Sequence, residues 1–210
     1  MAHGWTVHDD KMYYYDANGY RMYGIQTIGK DQYYFDKESG VRIRAKAVNL
    51  DGKWIYCTVN GAMAHGWTVH DDKMYYYDAN GYRLYGIQTI GKDRYYFDKE
   101  SGVRIRAKEV KIDGHWMYCG ENGSLTVGWA DHNGNRYYYD ENGWRVYGKQ
   151  TIDEKDWEFD KQTGALIYGF YESNGKIYYK DKNYEQLFGK QIIDGKVLLL
   201  DEITGELKLG

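Results

Sequence analysis

The chain has 210 residues, with 28 Lys and Arg against 31 Asp and Glu, a net charge of −3 and a pI of 6.1. That balance leaves no electrostatic footprint for nucleic acid or an anionic membrane, and no apolar run approaches the ~18 residues of a membrane span. The 42% of hydrophobic residues include 25 tyrosines, and the mean hydropathy is −0.81. Such material suits thin aromatic layers near solvent better than a thick aliphatic interior.

The N-terminus carries no charged and hydrophobic leader pattern, and Met1 reads as an initiator on an excised piece. Residues 2–46 return as 64–108 with two changes, Met22/Leu84 and Gln32/Arg94, a period of 64 − 2 = 62 residues. A third, looser copy begins at Gly128. Within each copy a finer period of roughly 20 residues is visible.

In chain order the first unit is "GWTVHDDKMYYYDANGYR" (4–21), the second "MYGIQTIGKDQYYFDKESGVRI" (22–43) and the third "RAKAVNLDGKWIYCTVNGAM" (44–63). Each holds two short runs rich in Tyr, Trp, Val and Ile, which favour strands, separated by turn formers such as "HDDK" and "NLDGK". The same three types recur at 66–83, 84–105 and 106–125, then two of them at 128–145 and 146–167, and degenerate forms at 168–187 and 188–210. Asn-Gly and Asp-Gly supply the positive φ angles of tight hairpins, and the recurrent glycines exclude useful helices. The expectation is an all-β chain: ten tandem β-hairpins in one elongated β-solenoid array over 1–210, each burying a face against its neighbours. In "KMYYYD", Tyr13 and Tyr15 share one face while Tyr14 points to the other. Cys57 and Cys119 occupy equivalent places in successive copies, too far apart for a bridge, and read as free thiols.

Catalysis has little support. Asp9-Asp10 and Asp71-Asp72 are paired carboxylates, but they fall in repeated turns, and no nucleophile elbow, phosphate loop or zinc-type spacing occurs. Of the six histidines, His3 and His8 fall on opposite strand faces, while His115 and His132 read as turn residues, so no metal site and no cofactor is expected. The aromatics carry the signal. "YGIQTIGK" places Tyr23, Gln26 and Lys30, and again Tyr85, Gln88 and Lys92, as a sugar subsite: a ring for the apolar face of a pyranose, an amide and an ammonium for its hydroxyls. A rival set, Trp54, Tyr56 and Trp67 with Trp116, Tyr118 and Trp129, suits aromatic cages for a quaternary ammonium, or simply seam packing.

"YGIQTIGKDQYYFDKESG", "YGKQTIDEKDWEFDKQTG" and "FGKQIIDGKVLLLDEITG" resemble the YG-type repeats of the glucan-binding domains of bacterial glucansucrases and streptococcal glucan-binding proteins. "DGKWIYCTVNGAMAHGW" resembles the wider cell-wall-binding repeat, choline-binding modules included, and some clostridial toxin repeats share the style. The resemblance covers essentially the whole chain. It implies a secreted or cell-surface, monomeric binding module without catalytic activity of its own, one origin being a glucansucrase fragment whose catalytic domain is absent. Its implied partner is an α-glucan such as dextran, as polysaccharide or oligosaccharide, with no nucleic acid and no membrane insertion. Residue by residue it carries over to Tyr23, Gln26 and Lys30, and to Tyr85, Gln88 and Lys92. The third copy keeps Tyr147 and Gln150 more weakly, with Glu154 at the lysine position and Lys155 one step later. Phe188 and Gln191 head a terminal cap. Choline or teichoic-acid binding, toxin-like capture of host oligosaccharides, and a ligand-free spacer are the alternatives.

Overall fold

The computed structural model describes residues 2–208; Met1, read above as an initiator, and the last two residues of the tenth unit lie outside the described residues. Hairpin 1 pairs β1 (Gly4–His8) with β2 (Lys11–Tyr15), hairpin 2 pairs β3 (Gly24–Ile28) with β4 (Asp31–Phe35), and hairpin 3 pairs β5 (Lys46–Leu50) with β6 (Lys53–Cys57). Hairpin 4 joins β7 (Gly66–His70) to β8 (Lys73–Tyr77), hairpin 5 β9 (Gly86–Ile90) to β10 (Asp93–Phe97), and hairpin 6 β11 (Lys108–Ile112) to β12 (His115–Cys119). Hairpin 7 joins β13 (Gly128–His132) to β14 (Asn135–Tyr139), and hairpin 8 β15 (Gly148–Ile152) to β16 (Lys155–Phe159). Hairpin 9 joins β17 (Gly169–Ser173) to β18 (Lys176–Lys180), and hairpin 10 β19 (Lys190–Ile193) to β20 (Lys196–Leu199). The ten predicted hairpins are present, each as its own two-stranded sheet. Among the described residues there is no helix.

Packing divides the chain into two compact units, one of Met1–Lys108 with Cys119–Leu125, the other of Glu109–Tyr118 with Thr126–Gly210. In both, every hairpin turns through a two-residue loop. Asp9-Asp10 takes positive φ at both positions (49° and 58°), the type I′ geometry that matches strand twist, and Asp51-Gly52, Asp113-Gly114 and Asn133-Gly134 do the same. Hairpins 2 and 5 differ. There Gly29 and Gly91 alone are positive (both 66°), so Lys30 and Lys92 occupy the second loop position of a type II′ turn. After the second strand of hairpin 2 an aspartate closes the unit: Asp36 Oδ1 accepts the backbone N–H groups of Ser39 and Glu38, and these bonds hold its carboxyl below the usual carboxylate range.

The last residue of the second strand is fully buried in Phe35, Cys57, Tyr77, Phe97, Cys119, Tyr139 and Phe159, forming a seam with the adjacent hairpin. Neighbours are stitched by backbone as well: Arg42 N–H donates to Met12 O, Met63 N–H to Gln32 O, and Arg83 N–H to Trp54 O. A long side chain then crosses the turn of the following unit. Arg21 passes over Gly40, Arg42 over Gly61 and Arg83 over Gly102 in the first unit, and Arg145 over Gly164 in the second. These glycines carry positive φ and a neighbour where a Cβ would stand, so the repeat needs glycine there twice over. Cys57 and Cys119 are free and buried, with thiols pushed by desolvation up to about 11 and about 12, far from the thiolate that would make them reactive.

Candidate functional site

Gln26 does local work first. Its Nε2–H donates to Tyr23 O at 2.6 Å, bridging Gly24 with its φ of 69°, and Gln88 to Tyr85 O (2.7 Å) and Gln150 to Tyr147 O (2.8 Å) repeat the bond. Gln191 makes the same bond to Phe188 O. The amide's carbonyl end is left as an acceptor. Lys30 and Lys92 lie at the hairpin tips, whereas Tyr23 and Tyr85 stand before the opposite end of the same strand. A seven-residue separation along a strand is about 23 Å at full extension, so ring, amide and ammonium do not converge on one sugar. In the third copy Lys155 lies over Trp157, 4.7 Å from the ring centroid, and donates to Asn183 O.

What the hairpin sets beside Gln26 is Tyr33. The two-residue loop fixes the register Gln26↔Tyr33, Gln88↔Tyr95 and Gln150↔Trp157, cross-strand partners on one face. The preceding hairpin adds a tryptophan: Trp5 meets Tyr33 at 4.8 Å, Trp67 meets Tyr95 at 4.8 Å and Trp129 meets Trp157 at 4.5 Å, all edge-on. Trp5 and Trp67 remain 41% exposed, so each site presents indole, phenol and an amide acceptor together at the surface. Arg42 and Arg104 lie over these indoles, 5.4 Å from the centroids, and cover part of their face. The rings of Tyr33, Tyr95 and Trp157 were absent from the sequence-predicted set. Their signal is arithmetic, since positions paired across a two-residue loop share one sum, as in 26 + 33 = 28 + 31.

The cage residues are dispersed. Trp54 lies under the Arg83 guanidinium (5.4 Å) and Trp116 under Arg145 (5.6 Å). Tyr56 stacks on His70 and Tyr118 on His132, both at 4.1 Å, while Trp67 and Trp129 pack on the next hairpin. Among the described residues no ring contact joins Trp54, Tyr56 and Trp67.

The histidine assignment needs correction as well. His132 ends strand β13 rather than a turn, clasped between Tyr118 and Tyr137 (4.4 Å), with Nε2 at 2.9 Å from the Tyr139 hydroxyl. His70 is held the same way between Tyr56 and Tyr75 (4.1 Å), against Tyr77. His115 opens β12 and stacks on Trp144 at 3.9 Å. Among the described residues no group of three potential metal ligands occurs. Burial lowers the affinity of His132 for a proton, outweighing Asp131; Glu109, 3.6 Å away, is itself paired with Arg145. A histidine with a depressed folded-state pKa contributes stability above its unfolded value near ~6.5 and loses it as pH falls through the folded one. The urea midpoint should therefore drop as the pH falls below about 6.5, and His132→Gln should flatten that drop; an equal slope in the variant refutes the assignment.

Seams of stacked rings, with an indole, a second aromatic ring and an amide returning at each copy, define a tandem β-hairpin repeat array. Residues 46–83 match the choline-binding repeat and residues 127–143 the "Putative cell wall binding repeat", so the chain carries repeats of this group. Glucosyltransferase-S of Streptococcus mutans is 30% identical over 153 residues, covering 60% of this chain and 10% of that protein. Glucosyltransferase-I of Streptococcus downei is 29% identical over 153 residues, covering 64% and 9%. The chain thus spans about a tenth of the length of these relatives. Among solved structures, choline-binding protein F of Streptococcus pneumoniae superposes with a TM-score of 0.60 at 21% identity, over 99% of this chain and 93% of that one, a likeness of fold.

Proposed function

We propose that the chain is a non-catalytic, multivalent carbohydrate-binding module for α-glucan of the dextran type, acting as one repeat array and as a monomer, outside the cell or on a bacterial surface. The observation that carries this reading is the recurrence of Trp5, Gln26 and Tyr33 as Trp67, Gln88 and Tyr95. A half-exposed indole and a phenol offer flat apolar surface to the C–H face of a pyranose, and the glutamine carbonyl accepts a hydroxyl. The similarity to glucosyltransferases supports the same ligand class. Against a quaternary ammonium cage, Trp54, Tyr56 and Trp67 share no ring contact among the described residues, and Tyr56 is stacked on His70. Each site alone would contribute about 4–6 kcal/mol, millimolar to high-micromolar affinity, and a polymer engaging two sites would be held far more strongly.

Affinity electrophoresis in dextran gels tests the reading, with choline chloride as a control. The chain should be retarded by dextran and not released by choline, and Gln26→Leu with Gln88→Leu should weaken retardation tenfold or more. Free migration in dextran, or full retardation of the double variant with an unchanged circular dichroism spectrum, would overturn it. Tyr23→Ala with Tyr85→Ala shows whether the exposed phenols before the strands add a second stacking surface.

A further inference from the structure

The net charge of −3 conceals a division. Residues 1–108 carry 16 Lys and Arg against 13 Asp and Glu, whereas residues 109–210 carry 12 against 18. The positive excess of the first stretch has a focus. At the tip of hairpin 1 lies a cavity of about 330 Å³, lined by Val7, Asp10, Lys11, Met12, Arg42 and Arg44 among others. The Arg42 N–H donates to Met12 O, which draws the segment after hairpin 2 against the second strand of hairpin 1. Its guanidinium rests on Trp5, 5.4 Å from the centroid. Burial weakens the hold of Arg42 on its proton, and the charge of Arg44 acts the same way, against a partial offset from Tyr33.

Among the described residues none of Lys11, Arg42 and Arg44 forms an ion pair, Asp10 on the same wall included. The second copy repeats the set as Lys73, Arg104 and Arg106, equally without ion pairs, and Arg106 bears on Arg104 as Arg44 does on Arg42. The third copy shows that the fold does not demand this crowding. Asn135, Leu166 and Tyr168 stand at the three positions. A guanidinium still lies over the indole, 5.4 Å from Trp129, but it comes from Arg136 at the Met12 position. Its Nε is 3.1 Å from Asp131 Oδ1, at the Val7 position. The third copy thus neutralises one cation internally. The first two gather three and leave them unpaired.

Like charges crowded into a cleft repel one another and focus a positive field outward. Three positions, two of them thirty residues from the first, lose their charge together in the copy that supplies its own acid, and an anionic ligand accounts for that joint change. We infer that Lys11, Arg42 and Arg44, and again Lys73, Arg104 and Arg106, form two oxyanion sites. Each takes one phosphate or sulfate group, carried as an ester on a larger ligand. Two guanidinium groups present planar arrays of donors to such oxygens, and the lysine adds a third charge. Three cations against Asp10 leave an excess of positive charge for the anion. The sites share no residue with Trp5, Gln26 and Tyr33 or their copies, and they do not depend on the glucan reading.

Inorganic phosphate titrated into the full chain labelled with ¹⁵N, at an ionic strength held constant with chloride, tests the inference. The indole signals of Trp5 and Trp67, beneath Arg42 and Arg104, should shift saturably while that of Trp129 stays still. Lys11→Asn with Arg44→Tyr places the third copy's residues in the first, so the fold is expected to accept them. The pair should weaken the Trp5 response about tenfold and leave Trp67 unchanged. Val7→Asp, which supplies the acid that Asp131 supplies, should act likewise. Sulfate in a parallel titration tells the two esters apart, and tighter binding of either supports the inference. It is overturned by the absence of a saturable shift, by acetate binding as tightly as phosphate, by equal movement of Trp129, or by an unchanged Trp5 midpoint in either variant. Retardation in dextran gels is independent of all these outcomes.

Discussion

Replacing Tyr77 by alanine should lower stability by about 3–5 kcal/mol, the range for a large aromatic removed from a closed core. Tyr77 is fully buried, and burial pushes its hydroxyl up to about 12. That hydroxyl is also a junction: it sits 2.9 Å from His70 Nε2 and accepts Arg83 Nη2–H at 3.2 Å. Alanine therefore opens a cavity and orphans two polar groups at once. Tyr77→Phe keeps the volume and should cost only about 1–2 kcal/mol, the loss of the hydroxyl bonds. Urea unfolding of the two variants beside the parent chain checks both figures; a Phe variant as damaged as the Ala variant would show that the hydroxyl network, not packing, holds the seam. Because a repeat array is coupled through nearest neighbours, hydrogen exchange should rise first in hairpins 3 to 5.

Gly102→Ala should cost about 2–4 kcal/mol, combining the left-handed backbone penalty with overpacking. A Cβ there would stand 2.9 Å from Arg83 Cγ, closer still to its Cδ, and 3.1 Å from Tyr85 Cε1. Arg83 cannot swing aside, since it bonds the Ser101 carbonyl and the Tyr77 hydroxyl and lies over the Tyr75 ring at 4.4 Å. Gly86 is the control: its φ of 70° is the same, but nothing lies within 4 Å, so Gly86→Ala should cost only the backbone part, about 1–2 kcal/mol. Adding Arg83→Ala to Gly102→Ala should recover the difference, a coupling visible in a double-mutant cycle of thermal melts. Equal losses at Gly86 and Gly102 would mean that the crossing arginine moves freely.

Much of this fold was legible because its determinants are local. The turn pairs "DD", "DG" and "NG" announce two-residue loops, and alternation in "KMYYYD" separates the buried Tyr75 and Tyr77 from the half-buried Tyr76. The site was less legible because "YGIQTIGK" reads as neighbours in sequence, whereas a strand carries its two ends apart. Lys30 shares a turn with Gly29, and Gln26 finds its same-face ring across the hairpin in Tyr33. Knowing that Trp5 completes the set needs the packing of one hairpin on the next.

The stitches between hairpins reach only to the adjacent unit, as from Arg42 to Met12 or Arg104 to Met74, a span of thirty residues in both. Excising or inserting one 62-residue block in frame leaves every such stitch with an equivalent partner. The number of blocks can then change while every seam keeps its packing, so the array lengthens or shortens by whole repeats without redesign of any contact.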